Sequence, residues 1–85
     1  MRLRILGKWW NYREVPRLGN YGDCDAPGKP GKTIRVEIGL RGEKHLETVV
    51  HELTHAAFWS IDEEHVSQFA KDVARGLTRL GYHRD

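Results

Sequence analysis

His51-Glu52-Leu53-Thr54-His55 places two histidines four residues apart, with a glutamate beside the first. On an α-helix this spacing sets the two imidazoles one turn apart and about 40° apart around the axis, so both can point at one ion. An H-E-x-x-H run on a helix is a zinc-binding pattern, with the glutamate acting as general base toward a water activated by the metal. Zinc lowers the pKa of that water toward roughly 7, which supplies a nucleophile at neutral pH. Such a site also needs a third protein ligand and an open position. The next cluster of ligand-type residues is Asp62, Glu63, Glu64 and His65.

The surrounding periodicity supplies the helices that this chemistry needs. From Glu43 to Trp59 the apolar residues fall at helical spacing, and Leu46, Val50, Leu53 and Ala57 form one stripe. His51 and His55 lie nearly opposite that stripe, so one side of the helix is expected in the core and the other at a cleft. A break at Ser60-Ile61-Asp62 offers Asp62 as N-cap, or Ser60 with Glu63 as a capping box. A second helix over 62–80 follows, with Val66, Phe69, Ala70, Val73, Leu77 and Leu80 as its stripe and Gly81 past its end. Gly76 inside it costs roughly 1 kcal/mol against alanine, which a close helix–helix approach would explain.

Geometry sorts the candidates for the third ligand. With the Val66/Val73/Leu77 direction as zero, Glu63 lies at about +60°, Asp62 at about −40°, Glu64 near 160° and His65 near −100°. A ligand must face the first helix without entering the core, which favours Glu63. Glu64 points away unless the helix starts later, and Asp62 is suited to the cap. Spacing alone leaves the choice between Glu63 and Glu64 open.

These two segments together, the His51–His55 run and Asp62-Glu63-Glu64-His65-Val66-Ser67-Gln68-Phe69-Ala70, resemble the two-helix active site of gluzincin-type zinc metallopeptidases. The likeness is to compact bacterial and phage forms, and it covers roughly residues 32–80. It implies His51, His55 and Glu63 as zinc ligands and Glu52 as the base in peptide-bond hydrolysis. It also implies a β-strand, here Thr33–Leu40, lining the cleft and pairing with an extended substrate. Four positions after the ligand glutamate the family often has an Asp, and here Ser67 stands there. No oxyanion stabiliser is evident, the candidates being Tyr21, Tyr82 and His83.

The first half of the chain reads as strands and turns. Lys8 to Val15 is rich in β-formers and closes at Pro16. Arg17 to Gly31 is turn chemistry, long enough to suggest a functional or packed loop. Lys32 to Leu40 alternates Ile34, Val36, Ile38 and Leu40 with Thr33, Arg35, Glu37 and Gly39, the pattern of a strand with one wet face. Trp9, Trp10, Phe58 and Trp59 are expected in the core.

The expected architecture is therefore α+β, a single minimal zincin-like domain with a short antiparallel sheet packed on two helices. Strands and loop occupy 1–40, the active-site helix 43–59 and the second helix 62–80. At 85 residues the chain sits just above the size at which small domains usually need a staple. The lone Cys24 excludes an intrachain disulfide and fits a reducing cytoplasm, and the apolar stretch in Met1–Lys8 is too short for a secretory leader. Mean hydropathy is −0.65, and no apolar run is long enough for a membrane span. Cys24, flanked by Asp23 and Asp25, is expected as a small buried turn residue, since acidic neighbours raise a thiol's pKa.

Net charge is only +2, although residues 1–35 carry eight Lys/Arg against three Asp/Glu. The basic residues are spread out, and a helix-turn-helix reading would present an acidic second helix to DNA, which argues against a nucleic-acid partner. The expected partners are a peptide or protein substrate and a partner protein that completes the small site. Two other readings remain: a non-catalytic, metal-stapled binding or assembly module, and a metal-free nucleic-acid or protein adaptor using the basic half.

Overall fold

The computed structural model describes residues 1–82. Its elements are β1 (Arg2–Ile5), β2 (Lys8–Val15), β3 (Gly22–Cys24), β4 (Thr33–Glu37), α1 (Gly42–Ala57) and α2 (Glu63–Arg79). The sheet has the order β1-β2-β4-β3, so the α+β class is as expected. The sheet itself is mixed: β1/β2 and β3/β4 pair antiparallel, whereas β2 and β4 pair parallel.

Two strands were not foreseen. β1 and β2 join through the two-residue turn Leu6-Gly7, in which both residues have positive φ. This is the primed-turn geometry that matches strand twist, reached without the Asn-Gly or Asp-Gly pair that usually announces it. β3 has three residues, Gly-Asp-Cys, too few for a period to show. It lies inside the Arg17–Gly31 segment read as a loop, and side chains pin that segment down. Glu37 accepts hydrogen bonds from the backbone N–H groups of Arg17 and Leu18, and Asp25 accepts one from Thr33. Arg35 pairs with Asp23 at 2.8 Å and Asp25 at 3.1 Å.

The molecule is layered as sheet, then α1, then α2, with α2 packed on α1 and not on the sheet. α1 is therefore covered on two sides. Its deepest side chains are Thr48, Glu52 and Ala56, while Leu46, Val50, Leu53 and Ala57 are only half-buried. The expected apolar stripe is thus not the innermost one, because the sheet sits over an arc running from Thr48 to Leu53. Ala56 and Leu53 pack with Trp10, Ile34, Tyr12 and Cys24.

Between the helices, Val66, Ala70 and Ala74 of α2 are fully buried. Phe69 and Leu80, expected in the same stripe, are exposed, since α1 covers only the Val66/Ala70/Ala74 side. Of the aromatic residues expected in the core, only Trp10 is there. Trp9, Phe58 and Trp59 are each about half exposed. Asp62 is the N-cap of α2, accepting from the His65 N–H at 2.9 Å. At the other end Tyr82 N–H donates to Leu77 O and Gly81 N–H to Thr78 O, with Gly81 at φ 96°, the paired bonds of a Schellman ending.

Two glycines differ in what surrounds them. A Cβ on Gly22 would stand 3.0 Å from Arg35 O, Glu52 Cγ and Thr48 Cγ2, so this glycine lets α1 approach β3. A Cβ on Gly76 would meet nothing, which overturns the expected close helix contact there. Gly22→Ala should cost about 1–3 kcal/mol through overpacking, lowering the melting temperature by at least about 4 °C. Gly76→Ala should add up to about 1 kcal/mol through helix propensity. Thermal melting of both variants beside the parent checks the pair, and equal losses would refute the distinction.

Candidate metal centre

α1 presents His51 and His55 one turn apart toward α2, and α2 brings Glu63 from its first turn to meet them. Glu63 Oε1 lies 2.7 Å from His51 Nε2, and Glu63 Oε2 lies 2.7 Å from His55 Nε2. The two Nε2 atoms are 3.2 Å apart, with the rings edge to face. Among the described residues this is the one group of His, Cys, Asp or Glu donors converging on a common point, its ligand atoms all within 4.8 Å of one another.

The donor set fits a metal ion. Two imidazoles and a carboxylate are ordinary ligands for a small divalent cation. Donors 2.0–2.1 Å from a tetrahedral zinc lie about 3.4 Å from one another. The imidazole nitrogens are already close to that separation, and the two carboxylate contacts need to open by less than about 1 Å.

The other candidates fall elsewhere. Glu64 is exposed and outside the group, and the asymmetry follows from helix phase, since Asp62 as N-cap turns Glu63 toward α1. His65 bonds through Nδ1 to the Asp62 carboxylate at 2.8 Å. Ser67 reaches back along α2, its hydroxyl donating to Glu63 Oε1 over a long 3.5 Å. It thus touches the carboxylate of the trio. Tyr82 is exposed, and His83 lies outside the described residues.

Comparison with known protein families, curated proteins and solved structures finds no match.

Glu52 follows His51 in sequence and so points about 100° away from it, into the wall that α1 makes with the sheet. It is 6 % exposed. Burial is the main reason its carboxyl is pushed up to about 7, with the nearby charges of Glu63 and Asp23 adding to the rise. A carboxyl with that pKa both takes and returns a proton near neutrality.

The cleft is about 420 Å³, walled by Asn20, Gly22 and Cys24 on one side and by His51, Glu52, His55, Trp59 and Glu63 on the other. It continues into a second hollow of about 250 Å³ that shares Gly22, His51 and Glu52 and reaches Tyr21, Lys44, Ser67 and Lys71. Tyr21 borders this space, but Lys44 Nζ sits 4.0 Å over its ring.

The strand beside the cleft is β3. Thr33–Leu40 was the expected substrate-side strand, yet β4 lies inside the sheet with β2 and β3 on its two edges. Tyr21 O and Asp25 N–H bond toward β4, so by alternation the N–H and C=O groups of Gly22 and Cys24 point to the unpaired edge. Asn20 and Gly22 were missed as site residues, and only the unusual length of the Arg17–Gly31 segment pointed to them, whereas the thiol of Cys24 is a zinc-ligand type that the sequence already offers beside the expected turn role. Cys24 lines the cleft without joining the His51/His55/Glu63 group. Burial, followed by Glu52, Asp25 and Asp23, pushes its thiol up to about 12, so it is held neutral.

The raised Glu52 pKa has a consequence for stability. Its ordinary value is near 4.5 and its folded value about 7, so between these the folded chain holds a proton that the unfolded chain has lost. Metal-free protein should therefore lose stability as pH rises from 4.5 to 7, by at most roughly 3 kcal/mol for a shift of this size. Glu52→Gln removes that slope. Denaturation of the chelator-treated parent and variant at pH 5 and pH 8 checks this, with the variant gaining on the parent at pH 8. An identical pH response in the two proteins would refute it.

Proposed function

We propose that this chain is a compact zinc metallopeptidase of the gluzincin type, acting on extended peptides. The observation that carries this reading is the convergence of His51, His55 and Glu63 beside a buried Glu52 in one open cleft. Three protein donors leave room for a water and a substrate carbonyl, as an open catalytic site requires. Zinc, when bound, supplies a Lewis acid and lowers the pKa of water.

The chain's own groups do the rest. Glu52 takes a proton from the attacking water and returns it to the leaving amine, from a buried position on the cleft wall. The free edge of Gly22 and Cys24 offers backbone donors and acceptors on the opposite wall, where an extended peptide adds as a further strand. A partner protein that extends the shallow cleft belongs to the same reading, as does a cytoplasmic setting for a chain with one neutral, unpaired thiol.

A second reading keeps the metal and drops the hydrolysis. Glu63 and the two histidines join α2, the outer layer, to α1 in the middle of the fold, so an ion there would act as a staple in a binding or assembly module.

Elemental analysis of the purified chain should find one zinc, and chelation should lower the melting temperature. His51→Ala should abolish both effects. Glu52→Gln should retain the zinc while hydrolysis of peptide substrates falls by about 10²–10⁴-fold. No zinc, together with no melting shift on adding it, sinks both readings. Zinc with no hydrolysis by the parent, or equal hydrolysis by the parent and Glu52→Gln, removes the peptidase mechanism.

A further inference from the structure

The outward face of the sheet, on the far side from α1, gathers what the sequence scatters. Along β1 and β2 the outward positions include Arg2, Arg4, Trp9, Asn11 and Arg13, all exposed, with half-buried Val15 at the end of β2. Register sets Arg4 opposite Trp9 and Arg2 opposite Asn11. Arg2 Cζ lies 4.5 Å and Arg4 Cζ 5.5 Å from the Trp9 ring centroid, and the indole is still 49 % exposed. Among the described residues Arg2, Arg4 and Arg13 form no ion pair. The next outward cation, Arg35 on β4, differs: Asp23 and Asp25 neutralise it and mark where the basic half of the face ends.

We propose that this β1/β2 face binds single-stranded nucleic acid. Three guanidiniums without an ion pair among the described residues match phosphates, for which the planar Arg fork is the best protein donor. A half-exposed indole among them offers the flat face on which an unpaired base stacks, the combination used for single strands. Bases in a duplex are already stacked on one another and cannot lie on the Trp9 indole, which favours a single strand over a double helix. Trp9 is the one large apolar side chain at these five positions, too little to anchor the face in lipid. The acidic exposed side of α2 does not bear on this, because α2 lies beyond α1. The inference is independent of the metal centre, and either can fail alone.

The test is fluorescence anisotropy of a labelled oligothymidylate of about 20 nucleotides titrated with the full chain. With three phosphate contacts, affinity should fall roughly 20-fold between 50 and 200 mM salt. Arg4→Ser and Arg13→Ser should each lower the log–log salt slope by about 0.7. Trp9→Ala should weaken binding at least about fivefold with the slope unchanged, and Trp9→Phe should recover most of the loss, separating stacking from a folding defect. The proposal is overturned by no binding at 50 mM salt, by a triple Arg2/Arg4/Arg13→Ser variant that binds like the parent, or by tighter binding to phosphatidylserine vesicles than to the oligonucleotide.

Discussion

Helix phase is the constraint on which this molecule turns. His51 and Glu52 are neighbours and so diverge by about 100° around α1. One must meet α2 while the other meets the sheet, so α1 has to be walled on two sides. The layer order sheet, α1, α2 provides those walls, and each is fitted to what it receives. On the sheet side, Gly22 lacks the Cβ that would strike Glu52 and Thr48. On the other, small residues at Ala70 and Ala74 let the helices come close while the first turn of α2 carries Glu63 to the histidines.

That arrangement works against stability in two places, which ties the chemistry to the fold. A carboxyl buried at Glu52 is held partly neutral by its surroundings, and ionising it there is unfavourable. The helix–helix seam is made of Val66 and two alanines, little apolar surface for a layer that touches nothing else. On the proposed reading, an ion shared by His51, His55 and Glu63 offsets both. It cross-links α1 to α2, and its positive charge stabilises the ionised Glu52 beside it.

Much of the site was legible because it is local. Four-residue spacing on a periodic segment needs no tertiary information, and the phase of α2 is set by an Asp62 cap written next to Glu63. The mixed sheet was not legible, since pairing β2 to β4 in parallel depends on β3 returning along the outer edge, and three residues carry no period. Burial was misjudged wherever it depended on a neighbouring layer. Thr48 and Glu52 are covered by the sheet despite their polarity, whereas the apolar Phe69 and Leu80 are bare, because α2 has one partner and not two.

The same limit explains the basic face. Along the chain Arg2, Arg4 and Arg13 are spread out and form no run, so they read as ordinary solvated charges. A strand alternates its side chains, and the Leu6-Gly7 turn folds the second strand back in register with the first. Those two facts bring the three arginines to one surface with Trp9 among them, while Trp10 goes to the core. A modest net charge therefore says little about surface field in a two-faced sheet. Most of the acids that balance it are placed elsewhere, on the two helices, beside Arg35 as Asp23 and Asp25, and on the α1 side of β2 as Glu14, which meets His45.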